Sequence, residues 1–399
     1  MKIALVCPYD LLEKSGGVGD VVTHLHKGLV KNGHIVRVIT PRPNGYRGKI
    51  PKDYIFLGTS SKFRAGPATE GAWTFNIDSD EIKEVLDREK FDVINFHEPW
   101  APILARQILP LSNAGHVGTF HANLTDSMAT KSLVNLFLPY GRGVGDKLDL
   151  ITAVSPAPAA VLINKDPNNR LVKNIKYIPN GIDLKTFQTK PTTAVKHPKM
   201  KTIFYIGRLE GRKGIKYLLR AFNDLAQRNE NVQLLIAGRG PDENKLRDYV
   251  SENEIPRVTF LGFISDADKI HHLHRADVFC SAATHGESFG IVLLEAMAAG
   301  CPIVAGDNIG YQSVMKGTGA ISLINPKDIV DFSRRLEIML TNEDIRRVWL
   351  KWAKDYIKQF DYKTITEMYE SAYKEAIKLH ADKPKPRRWF SFRRQLRQT

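Results

Sequence analysis

Two carboxylates in the run HGESFGIVLLEAMAAGCP (residues 285–302) offer the clearest chemistry in the chain. Glu287 lies in a segment that contains glycine. Glu295, eight residues later, falls inside an apolar stretch that is typical of a helix ending before Gly300. A carboxylate among apolar side chains is costly unless it has a hydrogen-bonding partner, and the hydroxyl groups of a sugar or a ribose would supply one. The alternative is a solvated Glu287 and a Glu295 paired with a nearby lysine.

The start of this helix is a candidate phosphate site. We expect Ser288 to cap the helix and Phe289, Gly290 and Ile291 to present free backbone N–H groups. Such N–H groups attract anions, and glycine lets a phosphate approach the backbone closely. The pattern therefore predicts a phosphate group close to the two glutamates.

Two cations form a second candidate set, in the segment YIGRLEGRKG. Arg208 and Lys213 follow an expected strand and precede an expected helix. Ligands of open α/β sheets bind at the carboxyl ends of the strands. Cations fixed there would neutralise a diphosphate leaving group as its charge grows. A solvated basic turn is the alternative.

The N-terminal half supplies a glycine loop and a histidine. Gly16, Gly17 and Gly19 lie in KSGGVGD, between an expected strand and a helix, where the backbone could approach a ligand. Their spacing is not that of a dinucleotide-binding fingerprint, and a tight turn explains them equally well. His121, in GTFHANLTDS, follows another expected strand. A lone histidine is more often a packed or surface residue.

Composition excludes several classes of protein. A chain of 399 residues, 43% hydrophobic and 25% charged, is long enough for two or three globular domains. We expect neither a secretory signal nor a membrane-spanning segment. Cys7, Cys280 and Cys301 share no metal-ligand spacing and are expected to be reduced and buried, as in a cytosolic protein. No Ser-His-Asp order, metal triad or glycosidase-like carboxylate pair is evident.

The net charge of +15 indicates an anionic partner. Residues 383–399 carry seven Lys or Arg, no acidic residue and a cluster of Trp389, Phe390 and Phe392. This composition favours an anionic membrane surface, although an inert basic terminus is the alternative. Nucleic acid is the least favoured partner, because no helix-turn-helix, RNP or zinc-finger pattern is present.

Short apolar runs alternate with amphipathic helices along the chain, which predicts α/β domains with parallel sheets covered on both faces. A segment rich in Lys, Thr and Pro at 183–201 has the character of an interdomain linker. We predict two doubly wound domains that face each other across a cleft. The expected strands are Ile3–Cys7, Ile35–Thr40, Val93–Phe96, Val117–Phe120, Leu150–Val154, Lys176–Ile178, Thr202–Gly207, Val232–Ala237, Val258–Leu261, Val278–Cys280 and Ile303–Ala305. A strongly helical segment is expected at 342–379.

These motifs resemble the E-x7-E signature and accompanying segments of the retaining, nucleotide-sugar-dependent glycosyltransferases of family 4, which have the GT-B fold. The similarity extends from Lys2 to about Tyr373 and looks closest to phosphatidylinositol mannosyltransferases. It is carried by FHEPWAP, TFHAN, AVSPA, IPNGID, GRLEGRKG, IAGRG, the run from Leu261 to Cys280, and HGESFGIVLLEAMAAG. The resemblance implies a Rossmann-like acceptor-side domain at 1–185, a Rossmann-like nucleotide-sugar domain at 186–365, the end of a helix that crosses back at 366–382, and a basic aromatic tail at 383–399.

The resemblance also implies roles for the candidate residues. Glu287 would contact the sugar hydroxyls and Glu295 the ribose. Arg208 and Lys213 would hold the donor diphosphate, and His121 would contact the sugar. In this family the reaction takes place on one face of the sugar, so that the protein mainly orients the substrates and stabilises charge.

Further donor and acceptor residues follow from the same resemblance. The glycine loop would line the cleft beside the pyrophosphate. Ile264 and Lys269 would hold the guanine base, and Arg212 would face the phosphate of the acceptor. His97 and Glu98, in FHEPWAP, would help to shape the acceptor side.

The acceptor segment departs from the subfamily. Where those enzymes carry Tyr, Asn and Arg, this chain has Phe56, Leu57 and Lys62, and only Arg64 and Gly66–Pro67 persist. An apolar side chain in place of Asn removes a hydrogen bond to a polyol. We still expect Lys62 and Arg64 to bind the acceptor, on weaker similarity than supports the donor side.

The resemblance implies a hexosyltransferase that moves mannose from GDP-mannose to a membrane lipid such as phosphatidylinositol, at the cytoplasmic face of the plasma membrane. It implies no obligate cofactor and no protein-bound metal, with Mg²⁺ at most accompanying the donor diphosphate. Three alternatives stay open. They are a soluble transferase that uses UDP-glucose or UDP-GlcNAc with another acceptor, a nucleotide-sugar epimerase, and a basic nucleic-acid-binding protein.

Overall fold

Two sheets organise the chain. The computed structural model describes residues 1–12, 16–64, 70–75, 78–101, 103–122, 144–165 and 175–383. Within these ranges the first sheet has eight strands in the order β4-β3-β2-β1-β5-β6-β7-β8, all parallel to their neighbours except the antiparallel pair β3 and β4. Its strands are β1 (Lys2–Val6), β2 (Ile35–Pro43), β3 (Tyr54–Arg64), β4 (Glu70–Phe75), β5 (Val93–His97), β6 (Gly115–Phe120), β7 (Leu150–Ala153) and β8 (Lys176–Tyr177).

The second sheet is wholly parallel and lies within the continuous stretch 175–383. Its six strands follow the order β11-β10-β9-β12-β13-β14. They are β9 (Lys201–Ile206), β10 (Val232–Ala237), β11 (Val258–Gly262), β12 (Val278–Ser281), β13 (Ile303–Gly306) and β14 (Leu323–Ile324). The central strands are buried on both faces, which explains their continuous apolar sequences.

Helices cover both sheets because their apolar side chains recur at helical spacing. In α6 (Ile215–Arg228), for example, Ile215, Leu218, Leu219, Phe222 and Leu225 form one buried stripe. The other helices are α1 (Gly16–Lys31), α2 (Ser79–Glu89), α3 (Leu104–Ile108), α4 (Pro156–Lys165), α5 (Leu184–Gln188), α7 (Glu243–Glu252), α8 (Asp266–Arg275), α9 (Ile291–Ala298), α10 (Ile309–Gln312), α11 (Ile329–Thr341), α12 (Glu343–Tyr356) and α13 (Tyr362–Ala381). No helix in the described part of the chain is long and apolar enough to cross a membrane.

The last helix, α13, returns to the first sheet. The chain crosses between domains where Ile182 N donates to Phe360 O at 2.8 Å and Tyr362 N donates to Ile182 O at 3.1 Å. From there α13 packs against β6 and α1, and Tyr369 and Tyr373 join the core that contains Ile3 and Leu5. The expected two-domain GT-B architecture with a helix that crosses back is confirmed.

All the expected strands are present and differ from prediction only at their ends, but two other expectations were incomplete. Strands β3, β4 and β14 were not predicted; in β3 the segment GTSSK interrupts the apolar residues. The single helical segment expected at 342–379 is two helices. A 3₁₀ turn at Ile357–Phe360 separates them, and Asp361 caps α13 by accepting a hydrogen bond from Lys363 N.

Candidate active site

The strand order of the second sheet brings the predicted phosphate-binding segments together. Strand β9 lies between β10 and β12. After β9 the chain continues to β10 on one side, and after β12 it continues to β13 on the other side. Ligands of doubly wound sheets bind at such a switch point. The segments that follow the two strands pair directly, because Thr284 N donates to Arg212 O at 2.9 Å. A Cβ at Gly214 would overlap the carbonyl group of Ala282, so only glycine permits this approach.

Glu287 lies at the centre of a charged cluster. Its Oε1 atom is 2.8 Å from Arg212 Nη1 and 2.7 Å from Lys213 Nζ. Arg212 Nε lies 2.7 Å from Glu210 Oε1, and Arg208 Nε lies 3.5 Å from Glu210 Oε2. Three cations and two carboxylates therefore meet at this edge of the sheet, and the charges of these five side chains sum to +1. The predicted cations Arg208 and Lys213 share this cluster with Arg212, for which an acceptor-facing role was predicted.

The helix start beside Glu287 differs from the prediction. Gly290, with φ of 109°, occupies the N-cap position of α9. The expectation that Ser288 caps this helix was therefore wrong. Gly290 has a left-handed backbone conformation, so the helix begins only at Ile291, two residues later than expected. The Ser288 carbonyl instead accepts a hydrogen bond from Ser155 Oγ of the first domain. The backbone N–H groups of Gly290 and Ile291 remain at the helix start, as expected for an anion site.

Glu295 is paired with Lys269. Lys269 Nζ lies 2.7 Å from Glu295 Oε1 and 3.4 Å from Asp266 Oδ1. Burial raises the pKa of Glu295, and the charge of Lys269 opposes that rise. The structure thus has the lysine partner that sequence reasoning treated as the alternative to a ribose. Lys269 and Glu295 were both predicted to bind the donor. Pairing with the lysine is therefore compatible with a role of Glu295 at the ribose.

Ile264 and Phe289 are two further residues predicted to bind the donor. Ile264 follows the turn at Gly262, which has φ of 67°, and packs partly buried against the core of the second domain. Phe289 is almost fully buried and makes an edge contact with Phe360 at 6.0 Å between ring centroids. Its side chain therefore packs in the core, and only its backbone could serve a ligand.

The glycine loop of the first domain reaches the same place. Gly16 and Gly17 begin α1, and Gly19 is buried in its first turn. A Cβ at Gly17 would lie 3.8 Å from Ile291 Cδ1. The start of α1 therefore faces the start of α9 across the cleft. Lys14 and Ser15 lie outside the described residues.

His121 belongs to a buried polar chain at the carboxyl edge of the first sheet. His97 Nδ1 lies 2.9 Å from His121 Nε2, and Asn95 Nδ2 lies 3.2 Å from His97 Nε2 and 2.8 Å from Tyr373 Oη. Thr119 Oγ1 donates to Asn95 Oδ1, which fixes the orientation of that amide. Asn95 Nδ2 must then donate to His97, His97 Nδ1 donates to His121, and His121 carries its proton on Nδ1.

His121 is therefore neutral. Burial lowers its pKa to about 4, an effect that the nearby Asn180 side chain partly offsets, and burial also lowers the pKa of His97. A neutral imidazole adds no positive charge beside a sugar carbon that becomes electron-poor. This property fits the predicted role at the donor sugar.

Glu98 is a site residue that sequence reasoning placed only loosely on the acceptor side. Its Oε1 atom accepts hydrogen bonds from His121 N at 2.7 Å and from Ala122 N at 2.6 Å. Its backbone has φ of 51°, which is uncommon for a residue other than glycine and is found at functional sites. Burial raises the pKa of its carboxyl group to about 7, and the two N–H donors oppose that rise. Glu98 therefore holds the segment that presents His121.

The predicted acceptor residues are only partly described. The backbones of Lys62 and Arg64 lie in β3, and Gly66–Pro67 lies outside the described residues. Leu57 is 1% exposed and belongs to the core of the first domain. Leu57, which replaces the Asn of the subfamily, therefore packs in the core.

Comparisons with known proteins agree with this arrangement. Residues 187–356 match the family model described as glycosyl transferases group 1, and residues 15–186 match that of glycosyltransferase family 4. The chain is 30% identical to the phosphatidyl-myo-inositol mannosyltransferase of Mycolicibacterium smegmatis, over 95% of this chain and 96% of that protein. It is 29% identical to the protein of the same name from Mycobacterium tuberculosis H37Rv, over 94% and 96% of the two chains.

Solved structures share the fold. Sucrose-phosphate synthase from Thermosynechococcus elongatus superposes with a TM-score of 0.73 at 19% identity and covers 94% of this chain and 98% of its own. HepE of Anabaena, in complex with UDP-glucose, superposes with a TM-score of 0.71 at 18% identity, over 94% and 99% of the two chains.

Proposed function

This chain belongs to glycosyltransferase family 4, and on that premise we propose that it moves mannose from GDP-mannose to phosphatidylinositol or a closely related membrane lipid. The relatives described above are named phosphatidyl-myo-inositol mannosyltransferases, which supports the transfer of mannose to this class of lipid. The net charge of +15 suits a protein that works at an anionic membrane surface. In this proposal the protein acts from the cytoplasmic face of the plasma membrane.

One observation supports the donor half most strongly. Arg208, Arg212 and Lys213 converge with Glu287 at the switch point of the second sheet, beside the start of α9. A nucleotide diphosphate brings negative charge that these cations and the N–H groups of the helix start can neutralise. When phosphate oxygens take over the cations, Glu287 becomes available to accept hydrogen bonds from sugar hydroxyls.

The chemistry then requires orientation and charge neutralisation. The bond between the anomeric carbon and the phosphate oxygen breaks, an acceptor hydroxyl bonds to the same face of that carbon, and its proton moves to the departing phosphate. Lys213 and Arg208 stabilise the diphosphate as it leaves. Neutral His121 holds the sugar without opposing positive charge at its anomeric carbon. No obligate cofactor takes part, and Mg²⁺ would act only on the diphosphate.

The test is a matrix of donors and acceptors with the purified protein. GDP-mannose, UDP-glucose and UDP-GlcNAc are each supplied with phosphatidylinositol vesicles or with phosphatidylcholine vesicles, and nucleotide release and lipid product are measured. We expect GDP release and a mannosylated lipid only when GDP-mannose and phosphatidylinositol are both present. The anomeric configuration of the product should match that of the donor, and EDTA should leave most of the turnover in place.

Each other outcome of this matrix contradicts a defined part of the proposal. Preference for a UDP sugar would overturn the donor assignment. Equal turnover with both vesicles would overturn the acceptor. Donor consumption without any acceptor, with release of an epimerised sugar, would indicate an epimerase.

A further inference from the structure

A largely buried cluster of three side chains that could ligate a metal ion lies away from the cleft. His116 is in β6 near its start, Asp149 directly precedes β7, and His380 is in the last turn of α13. All three therefore meet at the amino-terminal edge of the first sheet, whereas His121 follows the opposite end of β6. The chemistry proposed for the cleft makes no use of this cluster.

The geometry is close to that of a metal site. One ligand atom from each of the three residues can be chosen so that all lie within 4.8 Å of one another. His380 Nδ1 is 3.1 Å from Asp149 Oδ2. Ligand atoms that share a tetrahedral zinc ion with bonds of about 2 Å lie about 3.3 Å apart. Small side-chain rotations would bring all three atoms to that separation.

His116 already presents a lone pair to the cluster. Its Nδ1 atom lies 3.2 Å from the carbonyl oxygen of Lys147, which can only accept a hydrogen bond, so Nδ1 carries the proton. Nε2 is then unprotonated, and it is buried without a hydrogen-bond partner. The side chain belongs to a residue that is 3% exposed. A buried polar atom of this kind requires an explanation, and an imidazole whose other nitrogen donates to a carbonyl is the usual form of a metal ligand.

Asp149 already attracts a cation. Its side chain is 0% exposed, its Oδ2 atom accepts a hydrogen bond from His116 N at 2.7 Å, and Lys383 Nζ lies 2.5 Å from its Oδ1 atom. Lys383 is close to the end of the described chain and its side chain is 34% exposed, so it can turn towards solvent. Its ammonium group would repel a dication in the cluster, and the two should compete for Asp149.

We propose that His116, Asp149 and His380 bind one divalent transition-metal ion of the zinc class, which fixes the last turn of α13 to the first sheet and displaces Lys383. Two imidazoles and one carboxylate suit Zn²⁺, Co²⁺ or Ni²⁺ better than Mg²⁺ or Ca²⁺, which prefer oxygen ligands. The ion has a structural role and is separate from any Mg²⁺ that accompanies the donor.

The test is a titration of the metal-free full-length protein with Zn²⁺ by calorimetry, and with Co²⁺ by visible absorption. We expect one saturable equivalent, a Co²⁺ spectrum typical of tetrahedral nitrogen and oxygen ligands, and a melting temperature that rises with Zn²⁺. His380→Ala and His116→Ala should each weaken binding by roughly 100-fold or more, since even an outer-sphere partner is worth 10–100-fold.

Two further variants make the test specific. Lys383→Met should tighten Zn²⁺ binding, because it removes the competing cation. His197→Ala, at an exposed histidine on the second domain, should leave the stoichiometry and affinity unchanged. His380 is partly exposed at a helix end, so its variant is informative even if His116→Ala does not fold. Absence of a saturable equivalent, unchanged affinity in His380→Ala, or no tightening in Lys383→Met would overturn the proposal.

Discussion

Lys213 is the residue whose charge should matter most to the leaving group. Its Nζ atom is held 2.7 Å from Glu287, and its side chain is 18% exposed, so little movement is needed to reach a phosphate. We expect Lys213→Ala to lower kcat by about 100- to 1000-fold, the loss typical of a removed electrostatic contributor at a transition state. The measurement is steady-state turnover with saturating donor and acceptor.

A matched control for this variant lies three residues further along. Lys216 is exposed on α6 and lies over the ring of Tyr249 at 5.3 Å. Lys216→Ala removes the same charge from a position close in sequence, but not from the Glu287 cluster. Equal losses in the two variants would show that only the general positive field matters, and would remove Lys213 from the leaving-group site.

Glu98 predicts a pH dependence of stability. Burial raises its pKa from 4.5 to about 7, so the folded protein keeps a proton that the unfolded chain has already released. The unfolded state is therefore favoured progressively as the pH rises from about 4.5 to about 7. In Glu98→Gln this loss is absent, and the amide oxygen can still accept the two N–H groups.

The corresponding measurement is urea unfolding of both proteins at pH 4.5 and pH 7.5. Relative to the wild type, the free energy of unfolding of Glu98→Gln should rise by about 3 kcal/mol between the two pH values, at about 1.4 kcal/mol per pKa unit. The buried histidines titrate in both proteins and cancel in this difference. A difference that does not change with pH would contradict the raised pKa.

For single residues, the sequence could identify the candidate site residues but not the side chains with which they pair. Glu287, Lys213 and Glu295 lie in short runs whose spacing predicts a ligand-binding edge, and the structure brings them to that edge. The ion pairs Arg212–Glu287 and Lys269–Glu295 join segments 75 and 26 residues apart, and no local pattern specifies them. Histidine clusters such as His116 with His380 are invisible in sequence for the same reason.

At the scale of elements, the contact between α1 and α13 depends on Gly28. A Cβ at this position would lie 3.1 Å from Thr366 Cγ2, 3.2 Å from Thr366 Cβ and closer still to Thr366 Oγ1. Alanine normally stabilises a helix interior by about 1 kcal/mol relative to glycine. Here we expect the opposite sign, with a loss of roughly 1–3 kcal/mol from overpacking between the helices.

Chemical denaturation of a double-mutant cycle checks this expectation. Gly28→Ala should destabilise the wild type, while in the background of Thr366→Ala, which removes the two closest atoms (Oγ1 and Cγ2) and leaves only Cβ in tight contact, the destabilisation should be much smaller. Destabilisation of equal size in both backgrounds would show that Gly28 is needed for its backbone and not for the close approach of α13.

The elements themselves were largely predictable because buried parallel strands are continuous apolar runs. Each expected strand from Ile3–Cys7 to Ile303–Ala305 exists, and for the central strands burial on both faces leaves a strong local signal. Two of the missed strands, β4 and β14, lie at the ends of their sheets and need only one neighbour, although the edge strands β8 and β11 were predicted. The break between α12 and α13 was also missed, because the redirection towards the first domain depends on the contact with Ile182, far away in sequence.

For the whole molecule, the alternation of strands and helices was sufficient to predict two doubly wound domains and a cleft between their carboxyl edges. The way the domains meet was not predictable. Ser155 of one domain bonds to the Ser288 carbonyl of the other, and Gly17 approaches Ile291. Both contacts join the segments that would surround a donor, so binding in the cleft and the relative position of the domains should be coupled.

The charge of the whole chain leads to the last prediction, which concerns the tail at 384–399. This segment lies outside the described residues and supplies six Lys or Arg, with Trp389, Phe390 and Phe392 among them. Each basic residue near an anionic surface contributes about 1 kcal/mol. Even if only two of them engage the surface, deletion of 384–399 should weaken binding to phosphatidylinositol-containing vesicles by roughly 30-fold at low salt. The deletion leaves Lys383 and the His116 cluster intact.

Vesicle sedimentation and turnover of a soluble acceptor analogue, measured on the same proteins, separate membrane attachment from catalysis. Vesicle binding should fall far more than turnover of the analogue, and the difference from the full-length chain should shrink as salt screens the tail. A chain in which Trp389, Phe390 and Phe392 are replaced by alanine keeps all six charges and isolates the aromatic contribution at the interface. Equal losses of vesicle binding and soluble turnover would contradict a membrane role and indicate that the tail supports the fold.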